Sequence, residues 1–125
     1  QKNIELKKPI NLLEKKQDKS LKWRKYVNFQ LTGKYKAFHN MLDCLLYLKA
    51  RNFSLLRRWR LKQEKKLFLK SKNKKNLKIM NKNEVLNFMM TYQRITEQMF
   101  KTAKKFSSIV MTLNNQHQII NIKFK

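Results

Sequence analysis

"DCLLYLK", Asp43–Lys49, is the stretch whose reading decides the fold. Apolar residues run unbroken from Cys44 to Leu48, which is short for a helix and lacks the alternation of a half-exposed strand. The run therefore predicts a strand covered on both faces, of the parallel type, with Cys44 buried. Its flanks read as helices. Upstream, Tyr35, Phe38 and Leu42 recur at helical spacing. Before them a stripe of Trp23, Val27 and Leu31 starts behind a cap at Asp18 or Ser20 and stops at Gly33 in the C′ position. Downstream, Asn52 is a good N-cap for "NFSLLRRWRLKQEKK" (Asn52–Lys66), in which Leu55, Leu56, Trp59, Gln63 and Leu67 share one arc. A strand set between helices makes the chain α/β rather than a helical bundle.

Working further outward, "KSKNKKNLK" (Lys70–Lys78) is a polar, cationic connection. Asn81 or Asn83 caps a helix from Glu84 to about Lys104, with Val85, Phe88, Met89, Tyr92 and Ile95 along a broad apolar face. "SSIVMTL" and "QIINIKF", separated by "NNQH", predict two strands joined by a turn. At the other end residues 1–19 lack strong periodicity, and Pro9 is unfavourable to helix. A strand buried on both faces needs neighbours on both sides, and this chain supplies few. The expectation is a helix-rich fragment with few strands, its missing parallel strands lying upstream.

A length of 125 residues suits one domain, and 42% hydrophobic residues suit a folded one. With 31 Lys+Arg against 7 Asp+Glu the net charge is +24, a balance that attracts polyanions. Lysines fall in almost every part of the chain, which spreads the charge over the surface rather than gathering it into a site. Cys44 is the only cysteine, so no intrachain disulfide forms, which fits a reducing, cytoplasmic compartment. No apolar run approaches the roughly 20 residues that span a bilayer. With one glycine the chain has no room for a G-x-x-x-x-G-K-[ST] phosphate loop. His39 and His117 have no cysteine or acid at ligand spacing, so no metal centre is expected.

Pro9, Asn11, Leu13, Glu14, Asp18, Trp23, Arg24, Val27, Asn28 and Leu31 stand in one register. They are followed by Tyr35, Leu42, Asp43, Leu45, Phe53, Trp59, Arg60, Gln63 and Glu64, and then by Phe88, Tyr92, Arg94 and Thr96. This joint spacing resembles the C-terminal half of the D-glycerate 3-kinase family, P-loop kinases related to the uridine and pantothenate kinases. The match is collinear over nearly the whole chain. Leu21 and Ile79 stand where that family has glycine, and Lys16 and Gln17 where it has acids.

The resemblance implies that residues 1–125 are the C-terminal part of a P-loop kinase domain, three-layered with a mainly parallel sheet. They would supply the lid helices and last strands and lack the Walker A half. It implies transfer of the ATP γ-phosphate to a small hydroxy acid, D-glycerate foremost. ATP and Mg²⁺ would be bound mainly by the missing half, so the fragment alone would be inactive. Arg60 becomes the catalytic candidate, neutralising charge on the moving phosphoryl. Arg60, Gln63 and Glu64 become cofactor contacts, and Arg24 and Asn28 acceptor contacts, with Trp23 and Val27 in the core. The rival is a small basic RNA-binding or ribosome-associated protein, supported by the charge and by "KWRKY" and "RRW". Stacking needs exposed aromatics, whereas Trp23 and Trp59 fall on apolar arcs, so nucleic-acid affinity is expected to be weak and unspecific. A membrane-surface helix at Asn52–Lys66 is less apt, because its arc suits a protein core.

Overall fold

The computed structural model describes residues 3–71 and 79–125, with side chains from Glu5 onward. The chain divides into two compact units, 1–45 and 46–125.

The first unit holds α1 (Asn3–Lys7), α2 (Leu12–Gln17), α3 (Lys22–Thr32) and α4 (Lys34–His39). Its buried side chains are mostly polar: Glu14, Asp18 and Arg24 join Leu6 inside. Asn11 caps α2 by accepting from the Glu14 N–H at 3.0 Å. Asp18 caps α3 as predicted, but from a distance. One carboxylate oxygen accepts from the Trp23 N–H at 2.9 Å, and the other from the Arg24 N–H at 3.1 Å. The N-cap position itself is Leu21, at φ 65° and without a side-chain hydrogen bond. Gly33 ends α3 and begins α4 with φ −103°, so it is a joint and not the left-handed C′ glycine that was predicted. Its N–H closes on the Phe29 carbonyl at 3.0 Å, and that oxygen lies only 3.3 Å from where a Cβ would stand. α4 stops before Leu42, and its residues are all exposed.

The second unit holds β1 (Leu46–Lys49), α5 (Phe53–Lys70), α6 (Lys82–Phe106), β2 (Ile109–Leu113) and β3 (Ile119–Phe124). β1 and β2 pair in parallel, β2 and β3 antiparallel, in the order β1-β2-β3. Parallel pairing requires a long crossover, which α5 and α6 supply. Asn52 caps α5 by accepting from the Leu55 N–H at 2.9 Å. Asn81 and Glu84 form a reciprocal capping box at the start of α6. The two helices pack together around Phe53, Val85 and Met89, with Leu56, Tyr92 and Phe100 against that cluster. Of the predicted cationic connection, Lys70 closes α5 and Ser71 caps it; residues 72–78 lie outside the described residues. Among the described residues no helix is long and apolar enough to cross a membrane.

The α/β class holds, in the form of a small mixed sheet with helices. The deciding strand differs from its prediction. It starts at Leu46, and Cys44 ahead of it is exposed. Tyr47 and its cross-strand partner Val110 are buried where α6 packs on β1, while Leu46 and Leu48 are 45% and 55% exposed. One face is covered and the other bare, because among the described residues of this unit no layer lies over it. Trp23 is a second correction. It is 60% exposed rather than core, because the inward side of α3 is held by the charged Arg24 network.

Candidate functional site

The arc of α5 that the sequence singled out faces α6 and the β2–β3 turn. Leu55 is buried and Leu56 packs on the Phe53–Val85–Met89 core, which fixes the rotation of the helix. One turn on, Arg60 lies at the edge of that packed face. Its guanidinium pairs with the Glu64 carboxylate at 2.5 Å and donates to the Gln63 amide oxygen at 2.6 Å. It also sits over the Phe88 ring, 5.8 Å from the centroid. Glu64 is buried, and its second oxygen accepts from the Met80 N–H at 3.1 Å. The three residues named as cofactor contacts are therefore one cluster: Glu64 is its anchor, and Arg60 is held between Glu64 and Gln63. The Arg60 Nε is shielded from solvent and has no hydrogen-bond partner among the described residues.

Beside this cluster runs a groove of about 640 Å³. Trp59, Arg60, Lys62, Gln63 and Lys66 form its α5 wall, Met89 and Tyr92 its α6 wall, and Gln116 and His117 its rim. The Trp59 indole N–H donates to the Asn115 carbonyl at 3.0 Å, and its ring lies 4.0 Å from the His117 ring, tilted by 32°. His117 is held in the left-handed region at φ 68°. The Asn114 side chain shapes the turn by accepting from the N–H groups of Gln116 and Gln118 at 2.9 and 3.0 Å. Burial pushes the Tyr92 phenol above its ordinary range, against the opposing pull of the Arg60 charge. Three cations beside aromatic and apolar walls suit a ligand that is anionic at one end and flat or apolar at the other.

The two acceptor candidates are placed in the first unit. Arg24 is only 5% exposed. Its Nε donates to Asp18 at 2.8 Å, one terminal nitrogen to the Asp18 carbonyl at 2.6 Å and the other to the Leu6 carbonyl at 2.7 Å. Glu14 stands 3.9 Å away as a second counter-charge. That guanidinium is engaged on every nitrogen within the fold, which makes it a hub of four segments. Asn28, one turn further along α3, is half-buried, and its carbonyl accepts from the Thr32 hydroxyl.

Sequence reasoning found the Arg60 cluster and missed its opposite wall. Trp59 and His117 are 58 positions apart, and nothing local in "NNQH" announces a partner on α5. Lys62 and Lys66 looked like any other lysines in a chain full of them. No family model matches this chain, and no curated protein or solved structure matches it either.

Proposed function

We propose that this chain is the C-terminal part of a P-loop-type kinase that transfers the γ-phosphate of ATP to a small hydroxy acid, with D-glycerate as the leading acceptor. The single observation that supports it best is the Arg60 cluster. A guanidinium is oriented by a buried carboxylate and an amide at the mouth of a cationic groove, which is how a charge that must meet a moving phosphoryl group is pre-organised. Lys62 and Lys66 on the same wall fit the polyphosphate of ATP. Mg²⁺ fits this groove poorly, since the carboxylate nearest Arg60 is Glu64, already engaged by Arg60 and the Met80 N–H. In this reading the metal and the phosphate loop belong to another part of the kinase domain. Arg24, engaged within the first unit, serves there to fix α3.

The chemistry asked of these residues is electrostatic. Charge builds on the phosphoryl oxygens as the acceptor hydroxyl attacks, and a fixed guanidinium stabilises that charge without reorganising. The test is ATP-dependent phosphorylation of D-glycerate by the full-length protein that carries this chain. Arg60→Ala is expected to lower turnover by roughly two to three orders of magnitude. Arg58→Ala, on the exposed side of the same helix, is expected to leave it unchanged. Equal activity in the two variants would remove Arg60 from the mechanism. Absence of glycerate phosphorylation by the wild type would remove the substrate.

A further inference from the structure

The exposed side of α3 carries a feature that the kinase reading does not use. Trp23, Tyr26 and Phe29 follow one another at three-residue spacing, forming a slanting row on the side of the helix turned away from Arg24. They are 60%, 54% and 71% exposed. Trp23 and Tyr26 already lie ring against ring, 5.7 Å between centroids and 27° between planes. Lys22 and Lys25 fall on the same side and take part in no ion pair among the described residues. From Lys19 to Leu42 the sequence holds lysines and an arginine but no aspartate or glutamate. Arg24, which is neutralised by Asp18, is turned inward.

We propose that this face of α3 is a binding platform for single-stranded nucleic acid, without sequence preference. A row of flat, solvent-facing rings offers stacking surfaces that accept any base. The unpaired lysines beside the rings supply the phosphate attraction, strengthened by a net charge of +24. A duplex buries its base faces and meets only the charge. An acid-free, cation-flanked aromatic row therefore favours a single strand over a duplex, and a polyanion over a second copy of this equally basic chain. The binding is modest and salt-sensitive, as the dispersed charge requires. It differs from simple polyanion attraction in depending on the rings.

The experiment is fluorescence anisotropy of the full chain with a labelled oligouridylate of about 10 nucleotides. A duplex of the same length is run alongside, from about 50 to about 200 mM salt. Trp23→Ala and Phe29→Ala are each expected to weaken single-strand binding by roughly five- to tenfold while leaving the salt slope unchanged. Trp23→Phe keeps a ring and should recover most of the loss. Lys22→Gln is expected to lower the salt slope by about 1. All three substituted side chains, Lys22, Trp23 and Phe29, are exposed, so the fold should survive, and far-UV circular dichroism checks that it does. Wild-type affinity in Trp23→Ala, or equal affinity for the duplex, would reduce the effect to charge and overturn the platform. Absent oligonucleotide binding together with self-association in sedimentation would assign the row to contact between copies and overturn it equally. None of these outcomes touches the phosphorylation assay on Arg60.

Discussion

Two arginines illustrate how the same side chain takes different work from its surroundings. Arg24 is enclosed, its Nε on a carboxylate and its terminal nitrogens on carbonyls, so its removal leaves the Leu6 carbonyl without that donor and the Asp18 carboxylate without its counter-charge. Arg24→Met is expected to cost about 3 kcal/mol, as loss of one member of a buried pair does. Arg24→Lys should recover little, since an ammonium cannot reach three separately placed acceptors. Thermal unfolding followed in the first unit measures both, and a Lys variant as stable as wild type would contradict the hub. Arg60 is partly open, at 27% side-chain exposure, and two of its nitrogens are engaged within α5. Arg60→Ala should therefore combine its turnover loss with a stability loss of roughly 1–3 kcal/mol, because Glu64 is left buried without its counter-ion. Arg60→Lys separates the two effects. It should regain stability through contact with Glu64 but not turnover, since a point charge lacks the guanidinium fork. Full activity in Arg60→Lys would mark the residue as structural.

At the scale of elements, the start of α3 shows a local cost tolerated for a tertiary gain. Leu21 occupies the left-handed region, where a branched side chain crowds the backbone. The conformation persists because it brings the Asp18 carboxylate beneath the first N–H groups of α3. Leu21→Gly is expected to raise stability by roughly 0.5–1 kcal/mol, as glycine adopts this φ without steric cost. The measure is the denaturation midpoint of the first unit, and a fall would mean that the half-buried Leu21 side chain contributes more by packing than it costs in strain. Elsewhere caps were legible wherever a short polar side chain preceded an apolar stripe. Asn52 and Asn81 both cap where expected. At α3 the capping side chain, Asp18, was legible, but Leu21 as the N-cap position was not, because the carboxylate that caps the helix comes from three positions earlier.

For the molecule as a whole, the two units rest on different forces. The second has an apolar core, whereas the first depends on buried charge. Burial pushes the Asp18 carboxyl upward, but the Arg24 guanidinium and the N–H groups of Trp23 and Arg24 outweigh this and hold it below its ordinary 3.8. A carboxylate with a depressed folded-state pKa contributes stability that is complete above its unfolded value. That stability is lost as pH falls from about 4 through the lower folded value. Acid should therefore melt the first unit before the second. Each unit carries one tryptophan: Trp23 stacked on Tyr26, and Trp59 against His117. Near-UV circular dichroism of Trp59→Phe and Trp23→Phe variants reads the units separately. Coincident acid transitions would show that Asp18 does not set the acid limit.

The sequence by itself determined the elements of the second unit: a strand near residue 47, two long helices with their asparagine caps, and a closing hairpin. These follow from periodicity and capping, which act over a few residues. Arg60, Gln63 and Glu64 were singled out by the kinase resemblance, the wheel by itself showing only that Gln63 shares the apolar arc of α5. Only the tertiary structure decided what depends on residues far apart in the chain. It placed His117 against Trp59, left one face of β1 bare with Cys44 exposed, and turned Arg24 inward so that Trp23 faces solvent. The physical reason is common to all three. A helical wheel tells which residues share a face, but not which face is buried. On α3 that choice was made by the pairing of Arg24 with Asp18 and distant carbonyls, against the side that hydrophobicity alone would have selected.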